Sequence, residues 1–211
     1  MHKKMKIPEL NEGALLPLAE SFYSIQGEGY NTGKAAFFIR VGGCDVGCSW
    51  CDAKESWNPG LYPPTPIEEI VKEAVRYKAK SIVITGGEPL TYPLDKICSL
   101  LKSSSMQIFL ETSGSHPLSG TFDWICLSPK RKKPPLDNIF RFANELKVII
   151  EKREDFEWAE ENRSKAAEGT LLYLQPEWSR RNEMLPEIVE YVKSNPIWSI
   201  SLQTHKYINI P

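Results

Sequence analysis

Apolar positions in this chain follow two interleaved patterns. Short continuous apolar runs, rich in β-branched and aromatic residues, predict buried strands over 35–41, 81–85, 107–112, 124–127, 145–150, 171–174 and 198–202. Between them the apolar residues repeat at helical spacing. Ile67, Ile70, Val71, Ala74 and Val75 predict a helix over 67–77, with Thr65 as its cap and Pro66 at its first position. Leu94, Ile97, Cys98 and Leu101 mark a second helix, and 155–166 and 184–192 carry two more. The 16 prolines sit mostly at element ends, as at Pro63-Pro64-Thr65-Pro66, Pro134-Pro135 and Asn195-Pro196. Strands that alternate with helices, and are not themselves alternately polar, imply a parallel sheet covered by helices. Six or so strands are too few for a closed eight-stranded barrel. The expected fold is therefore α/β, a partial (β/α) barrel of about six mostly parallel strands, with ligands at the carboxyl ends of the strands.

Length and charge narrow the function. The 211 residues correspond to about one domain at ~150 residues per domain, and no linker or repeat divides them, so 1–211 reads as a single domain. Lys and Arg number 26 against 27 Asp and Glu, a formal charge of −1. A general nucleic-acid or membrane-surface protein needs a basic excess, so neither partner is expected. No apolar run approaches the ~20 residues of a membrane span. The start, Met1-His2-Lys3-Lys4-Met5-Lys6, is basic, but no long apolar stretch follows, and no signal peptide is read. Five cysteines, an odd number, in a chain too large to need disulfides point to the cytoplasm and to metal or reactive chemistry.

Three of those cysteines lie within Cys44-Asp45-Val46-Gly47-Cys48-Ser49-Trp50-Cys51, directly after a predicted strand. Thiolates so spaced can face one centre. A closed zinc site wants four protein ligands, and no fourth is near: the nearest histidine is His116, while Cys98 and Cys126 sit on apolar patterns and read as small core residues. Three buried cysteines brought together by chance, or zinc completed by a distant residue, are the plainer readings. An iron–sulfur cluster held by three thiolates, with one iron left open to an exogenous ligand, is the other and fits the count better. Trp50 reads either as a neighbour of that centre or as an apolar cover over the loop.

The second signal is Thr85-Gly86-Gly87-Glu88-Pro89 at the end of a buried strand. The glycines permit close backbone approach to a ligand, and Glu88 supplies an acceptor. Further strand ends carry Ser113 in Glu111-Thr112-Ser113-Gly114, and Ser128 and Lys130 in Ser128-Pro129-Lys130; these suit ribose hydroxyls or a carboxylate, or serve as caps. The run Lys130-Arg131-Lys132-Lys133 reads as a solvated loop. Near the start, Ile25-Gln26-Gly27-Glu28-Gly29 offers an amide and a charged acceptor on a glycine frame, suited to the edge of a pterin or guanine-like ring. Arg40 could clamp a carboxylate. The stretch 202–211 is polar and apolar by turns, unlike a frayed end.

Cys-x3-Cys-x2-Cys after a first strand, followed by Gly-Gly-Glu-Pro, resembles the radical S-adenosylmethionine (SAM) superfamily. Within it, the Phe-x-Ser-x-Gln-Gly-Glu-Gly segment, Leu174-Gln175-Pro176 and the closing Gln-Thr-His-Lys-Tyr-Ile-Asn-Ile-Pro make the chain similar, nearly end to end, to the 7-carboxy-7-deazaguanine synthase family. The resemblance implies a 4Fe-4S cluster on Cys44, Cys48 and Cys51, with SAM on the fourth iron and reductive cleavage of SAM to a 5′-deoxyadenosyl radical. It implies a lyase that ring-contracts 6-carboxy-5,6,7,8-tetrahydropterin to 7-carboxy-7-deazaguanine with loss of ammonia, for queuosine and other deazapurines. SAM is recycled after hydrogen abstraction at C6. By the same carry-over Ile25, Gln26, Gly27, Glu28, Arg40, Thr85, His205 and the carboxylate of Pro211 contact the pterin. Trp50, Asp52, Gly86, Gly87, Glu88, Ser113, Ser128, Pro129, Lys130 and Gln175 contact SAM. A flavodoxin-like or other electron donor, a homodimer and a cytoplasmic location are further implications. Many relatives carry Thr two residues after the last cysteine to help hold Mg²⁺. Ala53 stands there instead, so weaker Mg²⁺ use is expected. Two other readings share the cysteine loop: an activating enzyme that installs a glycyl radical on a partner protein, and a non-catalytic electron-transfer module.

Overall fold

The computed structural model describes residues 12–78 and 80–211; the basic start at Met1–Lys6 lies outside them. One nine-stranded sheet organises the chain. Its strands are β1 (Leu15–Ile25), β2 (Ala35–Val41), β3 (Pro64–Pro66), β4 (Ser81–Gly86), β5 (Gln107–Thr112), β6 (Trp124–Leu127), β7 (Glu145–Ile150), β8 (Leu171–Pro176) and β9 (Trp198–Ile200). The order is β3-β1-β2-β4-β5-β6-β7-β8-β9. From β2 through β4 to β9 every neighbouring pair is parallel, which is the expected partial barrel.

The sheet is wider than the expected six or so strands because β1 and β3 add antiparallel strands beyond β2. The apolar pattern did not announce them. β1 carries Pro17, a register shift between Leu18 and Glu20, and one largely solvated face. β3 contains two prolines, which a ladder tolerates only at an edge. Thr65 and Pro66 belong to that edge strand. Helix α1 (Ile67–Ala74) starts after them, and Thr65 bonds the Pro63 carbonyl instead of capping it. Helices α2 (Asp95–Ser103), α3 (Asp155–Arg163) and α4 (Arg181–Ser194) stand where the spacing placed them, with shifted ends. The chain closes in a short helix, α5 (Thr204–Ile208), ended by the left-handed Asn209.

Alternation along each strand makes two different sheet faces. Phe37, Ile39, Val41, Ile82, Ile84, Ile108, Leu110, Leu146, Val148 and Ile150 point to one side. There they pack in one buried cluster with Ile70 and Ala74 of α1, Ile97 and Leu101 of α2, Ala159 of α3 and Ile188 of α4. Each such side chain contributes roughly 1.5–3 kcal/mol by leaving water. Cys98 joins this cluster, as its apolar position implied. On the opposite face Ala36, Phe38 and Val83 pack together with Phe22 and Phe109 in a smaller apolar cluster. Further along, towards the carboxyl ends of the strands, it turns polar.

Candidate active site

That polar end is a cavity of about 280 Å³. Successive strands each deliver a polar side chain into it: Arg40 from β2, Thr85 from β4, Glu111 from β5, Lys147 from β7 and Gln175 from β8, with Ser128 just beyond β6. In a parallel sheet buried on both faces, polar residues at alternate positions need a polar space to face, and this cavity is it. The cysteine loop covers one side and the 25–28 segment with α5 covers another.

The cysteine loop follows β2 and is tied down by backbone bonds from Gly43 N to Ser56 O (2.6 Å) and Cys44 N to Trp57 O (3.2 Å). Cys44, Cys48 and Cys51 are all half-buried, free and open to the cavity. Burial pushes the Cys44 and Cys48 thiols up. Sγ of Cys51 accepts from Nε1 of Trp57 and from the Ala53 backbone N–H, both at 3.4 Å. The basic run is a loop with Arg131 and Lys132 exposed, as expected, but its side chains are also paired. Lys133 Nζ lies 2.6 Å from Asp45 and 2.9 Å from His116, itself 3.0 Å from Asp45, and Lys132 bonds the Gly47 carbonyl. Arg131 reaches Asp155 and the Trp158 ring. Lys132 and Lys133 thus pin the cysteine loop, while Arg131 ties the run to the start of α3.

Sulfur spacing separates the two metal readings. Four thiolates around one zinc at ~2.3 Å stand about 3.8 Å apart. Among the described residues, the trio of potential ligands whose donor atoms fall within 4.8 Å of one another is Glu111, Cys126 and Glu145, not the three loop cysteines. The three loop sulfurs are therefore not all drawn together around one point, as a single-ion site would need. Neither His116, held by Asp45, nor any other cysteine completes a zinc set.

The glycine turn meets this loop backbone to backbone. Glu88 N bonds Gly43 O at 2.8 Å and Gly87 N bonds Val41 O at 2.9 Å. A Cβ at Gly86 would lie 2.2 Å from the Val41 carbonyl, and one at Gly87 2.2 Å from that of Gly43, so neither position admits a side chain. Glu88 is 1% exposed. Its carboxylate accepts from Leu90 N, Thr112 Oγ1, Ser113 N and Ser113 Oγ at 2.5–3.1 Å. All four lone-pair positions are engaged. Glu88 therefore organises the strand-end loops, and the free acceptor expected from the sequence is already in use. Ser113 Oγ is spent in the same way. Lys130 Nζ bonds Ser128 and stands over the Trp50 ring, 5.4 Å from its centroid.

Opposite the cysteines, Gln26 is buried, with its amide donating to Glu111 at 3.2 Å and accepting from Glu28 N. Glu28 receives Lys147 Nζ at 2.5 Å and Gln203 Nε2 at 2.8 Å. Burial alone would raise the Glu28 carboxyl, but Lys147 and Gln203 hold it down at about 2. The tail docks through Thr204, whose N–H and hydroxyl both bond the Gly27 carbonyl. Asp52, next to Cys51, is held by Lys206 at 2.6 Å and Gln203 at 3.1 Å; burial works against its charge, and these bonds lower its carboxyl overall. Burial lowers the His205 imidazole, which favours its neutral form. Arg40 bonds Glu20 at 2.5 Å.

Of the residues singled out from the sequence, all line this cavity except Pro129, which is buried between Ser128 and Lys130. Several lining residues had no assigned role: Glu111, Lys147, Glu177, Trp57 and Gln203. Lys147 left a legible trace, since Glu145 and Lys147 are charges two apart in an otherwise apolar strand. Cys126 is buried, as its reading as a small core residue implied. It is 1% exposed and lies in register between Glu111 and Glu145 on the inner face, and burial raises its thiol well above the usual range.

Comparison with known proteins agrees with this geometry. The family model of the radical SAM superfamily matches residues 38–127. The chain is 55% identical over 202 residues to 7-carboxy-7-deazaguanine synthase of Flavobacterium psychrophilum, covering 96% of each. It is 50% identical to the protein of that name from Synechocystis sp., covering 92% of this chain and 93% of the relative. The crystal structure of QueE from Escherichia coli superposes with a TM-score of 0.80 at 28% identity, covering 95% of this chain and 99% of that one. On the strength of these full-length relatives, with the three-cysteine loop and cavity in place, the chain belongs to the 7-carboxy-7-deazaguanine synthase family within the radical SAM superfamily.

Proposed function

We propose that the cavity is the active site of a lyase converting 6-carboxy-5,6,7,8-tetrahydropterin to 7-carboxy-7-deazaguanine with loss of ammonia. The observation that carries the reading is the single cavity that joins the three free thiols to Gln26, Glu28 and the docked tail. A three-thiolate 4Fe-4S cluster with SAM on its open iron supplies a one-electron cleavage of SAM to a carbon radical. Cys44, Cys48 and Cys51 hold the cluster. Gly86, Gly87 and Ser128, with Lys130 and Trp50, shape the SAM side. Asp52 and Gln175, already bonded to the tail and to Ser201 respectively, frame it. On the other side Glu28 presents an ionised acceptor to the donor edge of the pterin, while His205, Thr85 and Ile25 flank the ring. Arg40 and Pro211 are placed for the substrate's polar groups, and Ser24 fixes Pro211 by a 3.0 Å bond. With a substrate held this way, the docked tail would keep its reacting carbon close to the SAM side of the cavity and limit the access of water.

Ala53 lines the cavity without a donor atom, which supports Mg²⁺ held by substrate, water and other oxygens, with weaker dependence. A flavodoxin-like donor, a homodimer and a cytoplasmic location belong to the same reading. Among the described residues no helix is long and apolar enough to cross a membrane. The test is anaerobic reconstitution, addition of SAM with EPR of the reduced cluster, then incubation with the pterin and a reductant. A perturbed EPR signal and the deazapurine mass support the reading; zinc in the purified protein, or a cluster indifferent to SAM, ends it.

A further inference from the structure

Three adjacent strands place a row of groups on the inner face of the sheet, of which Glu111 and Lys147 line the cavity. Glu111 of β5 pairs in register with Cys126 of β6, which pairs with Glu145 of β7. Lys147 lies two residues beyond Glu145 on that same face, with its side chain only 4% exposed. A lysine so buried is unfavourable unless its charge is matched. Its ammonium lies 2.5 Å from Glu28 and 2.9 Å from Glu111. Glu111 in turn accepts from Gln26, and Gln26 accepts from the Glu28 backbone. The result is a closed ring through Lys147, Glu28, Gln26 and Glu111, spanning β7, the 25–28 segment and β5.

We propose that Lys147 is a positioning residue for substrate: it keeps the Glu28 carboxylate charged and aimed at the donor edge of the bound heterocycle. The alternative is that Lys147 only neutralises buried carboxylates to stabilise the sheet. The geometry favours the positioning role. Glu145 takes its bond from the Tyr30 backbone at 2.9 Å, while the Lys147 ammonium bonds the two carboxylates that touch the substrate segment. Glu28 is also faced by Gln203, His205 and, through Gln203, Asp52, with Lys130 adding a more distant cation. Lys147 is the dominant cation on Glu28, with His205 acting less strongly. Without it, burial, the Glu111 carboxylate that shares Lys147 and the nearby Asp52 charge would act together to protonate Glu28.

The identity of the bound heterocycle rests on the pterin reading above; the state of Glu28 does not. The test uses the cluster-loaded, full-length protein and the variants Lys147→Met and Lys147→Arg, each first checked for cluster absorbance and SAM binding so that a misfolded variant is recognised. Carboxyl ¹³C NMR, with the Glu28 signal assigned by Glu28→Gln, follows its titration directly. The expected result is a Glu28 carboxyl that stays ionised to well below its ordinary value of 4.5 in the parent, and one that titrates above that value in Lys147→Met. Lys147→Arg restores the parent behaviour. Pterin affinity in Lys147→Met falls at least tenfold at pH 6 and recovers as pH rises, whereas the parent is flat. An unmoved Glu28 titration overturns the proposal, as does an affinity loss in Lys147→Met that is the same at every pH. If the parent binds no pterin while Glu28 shifts as stated, the pterin reading fails and the Lys147 role stands.

Discussion

Replacing Gly27 with alanine isolates the docking of the tail. Gly27 needs no special backbone conformation, so the methyl group acts only by occupying space. An ideal Cβ there lies 2.2 Å from Nδ1 of His205, 2.8 Å from its Cγ and 2.8 Å from its backbone N, against an ordinary contact of 3.4–4 Å. The imidazole can rotate aside; the backbone nitrogen cannot. The tail must therefore retreat by at least about half an ångström, and by nearer 1 Å if the ring keeps its place. Two bonds to the Gly27 carbonyl stretch as it moves, from Thr204 N at 2.9 Å and Thr204 Oγ1 at 3.0 Å. At ~0.5–1.5 kcal/mol net each, losing both costs about 1–3 kcal/mol of docking. That is roughly a 5- to 150-fold rise in the undocked population at tenfold per 1.4 kcal/mol. Native-state hydrogen exchange of the Thr204 amide reads it directly. Exchange should accelerate by that factor while the amides of β4 and β5 are unchanged, and pterin affinity should weaken in parallel. Thr204 protection within twofold of the parent would show that the tail does not dock through Gly27.

Three further outcomes follow from the same site. Trp57→Phe removes an N–H···S bond to Cys51; donors to a cluster sulfur stabilise the reduced state, so the midpoint potential should fall by about 40 mV for a bond worth ~1 kcal/mol, and an unchanged potential in an EPR-monitored redox titration refutes the contact. Burial lowers the His205 imidazole below its ordinary 6.5, so its contribution to stability is complete above 6.5 and is lost as pH falls through the lowered value; a long-range ¹H–¹⁵N spectrum at pH 6.5 should show a mainly neutral ring, and a half-protonated one contradicts this. Turnover after chelation should change little when Mg²⁺ is restored, because Ala53 offers no ligand; strong, saturable stimulation would contradict that.

Much of the molecule was legible from local pattern. Strands β2 and β4 to β9 are mostly apolar runs, and a run of β-branched residues between helical stretches has little choice but a buried parallel strand. The cysteine loop and the glycine turn were legible because rare residues at fixed spacing carry their chemistry with them. Other parts depended on neighbours far along the chain. β1 and β3 lack a clean period, and they are strands because β2 offers an unpaired edge. Thr65 looked like a helix cap until that edge claimed its segment. Cys126 had an apolar context on both sides, yet cross-strand register sets it among carboxylates. Glu88 has a full set of donors only because the loop after β5 folds over it.

By itself, then, the order of residues determined the layered α/β class, the three-thiol centre and the approximate set of cavity-facing positions, since each depends on periodicity or spacing over at most a few turns of chain. Charge state and reach were decided only in three dimensions. Whether Glu28 is ionised depends on Lys147, more than a hundred residues later, and whether the tail is ordered depends on a carbonyl at Gly27. Electrostatic energy and hydrogen bonding act through distance in space, and the sheet's register sets that distance.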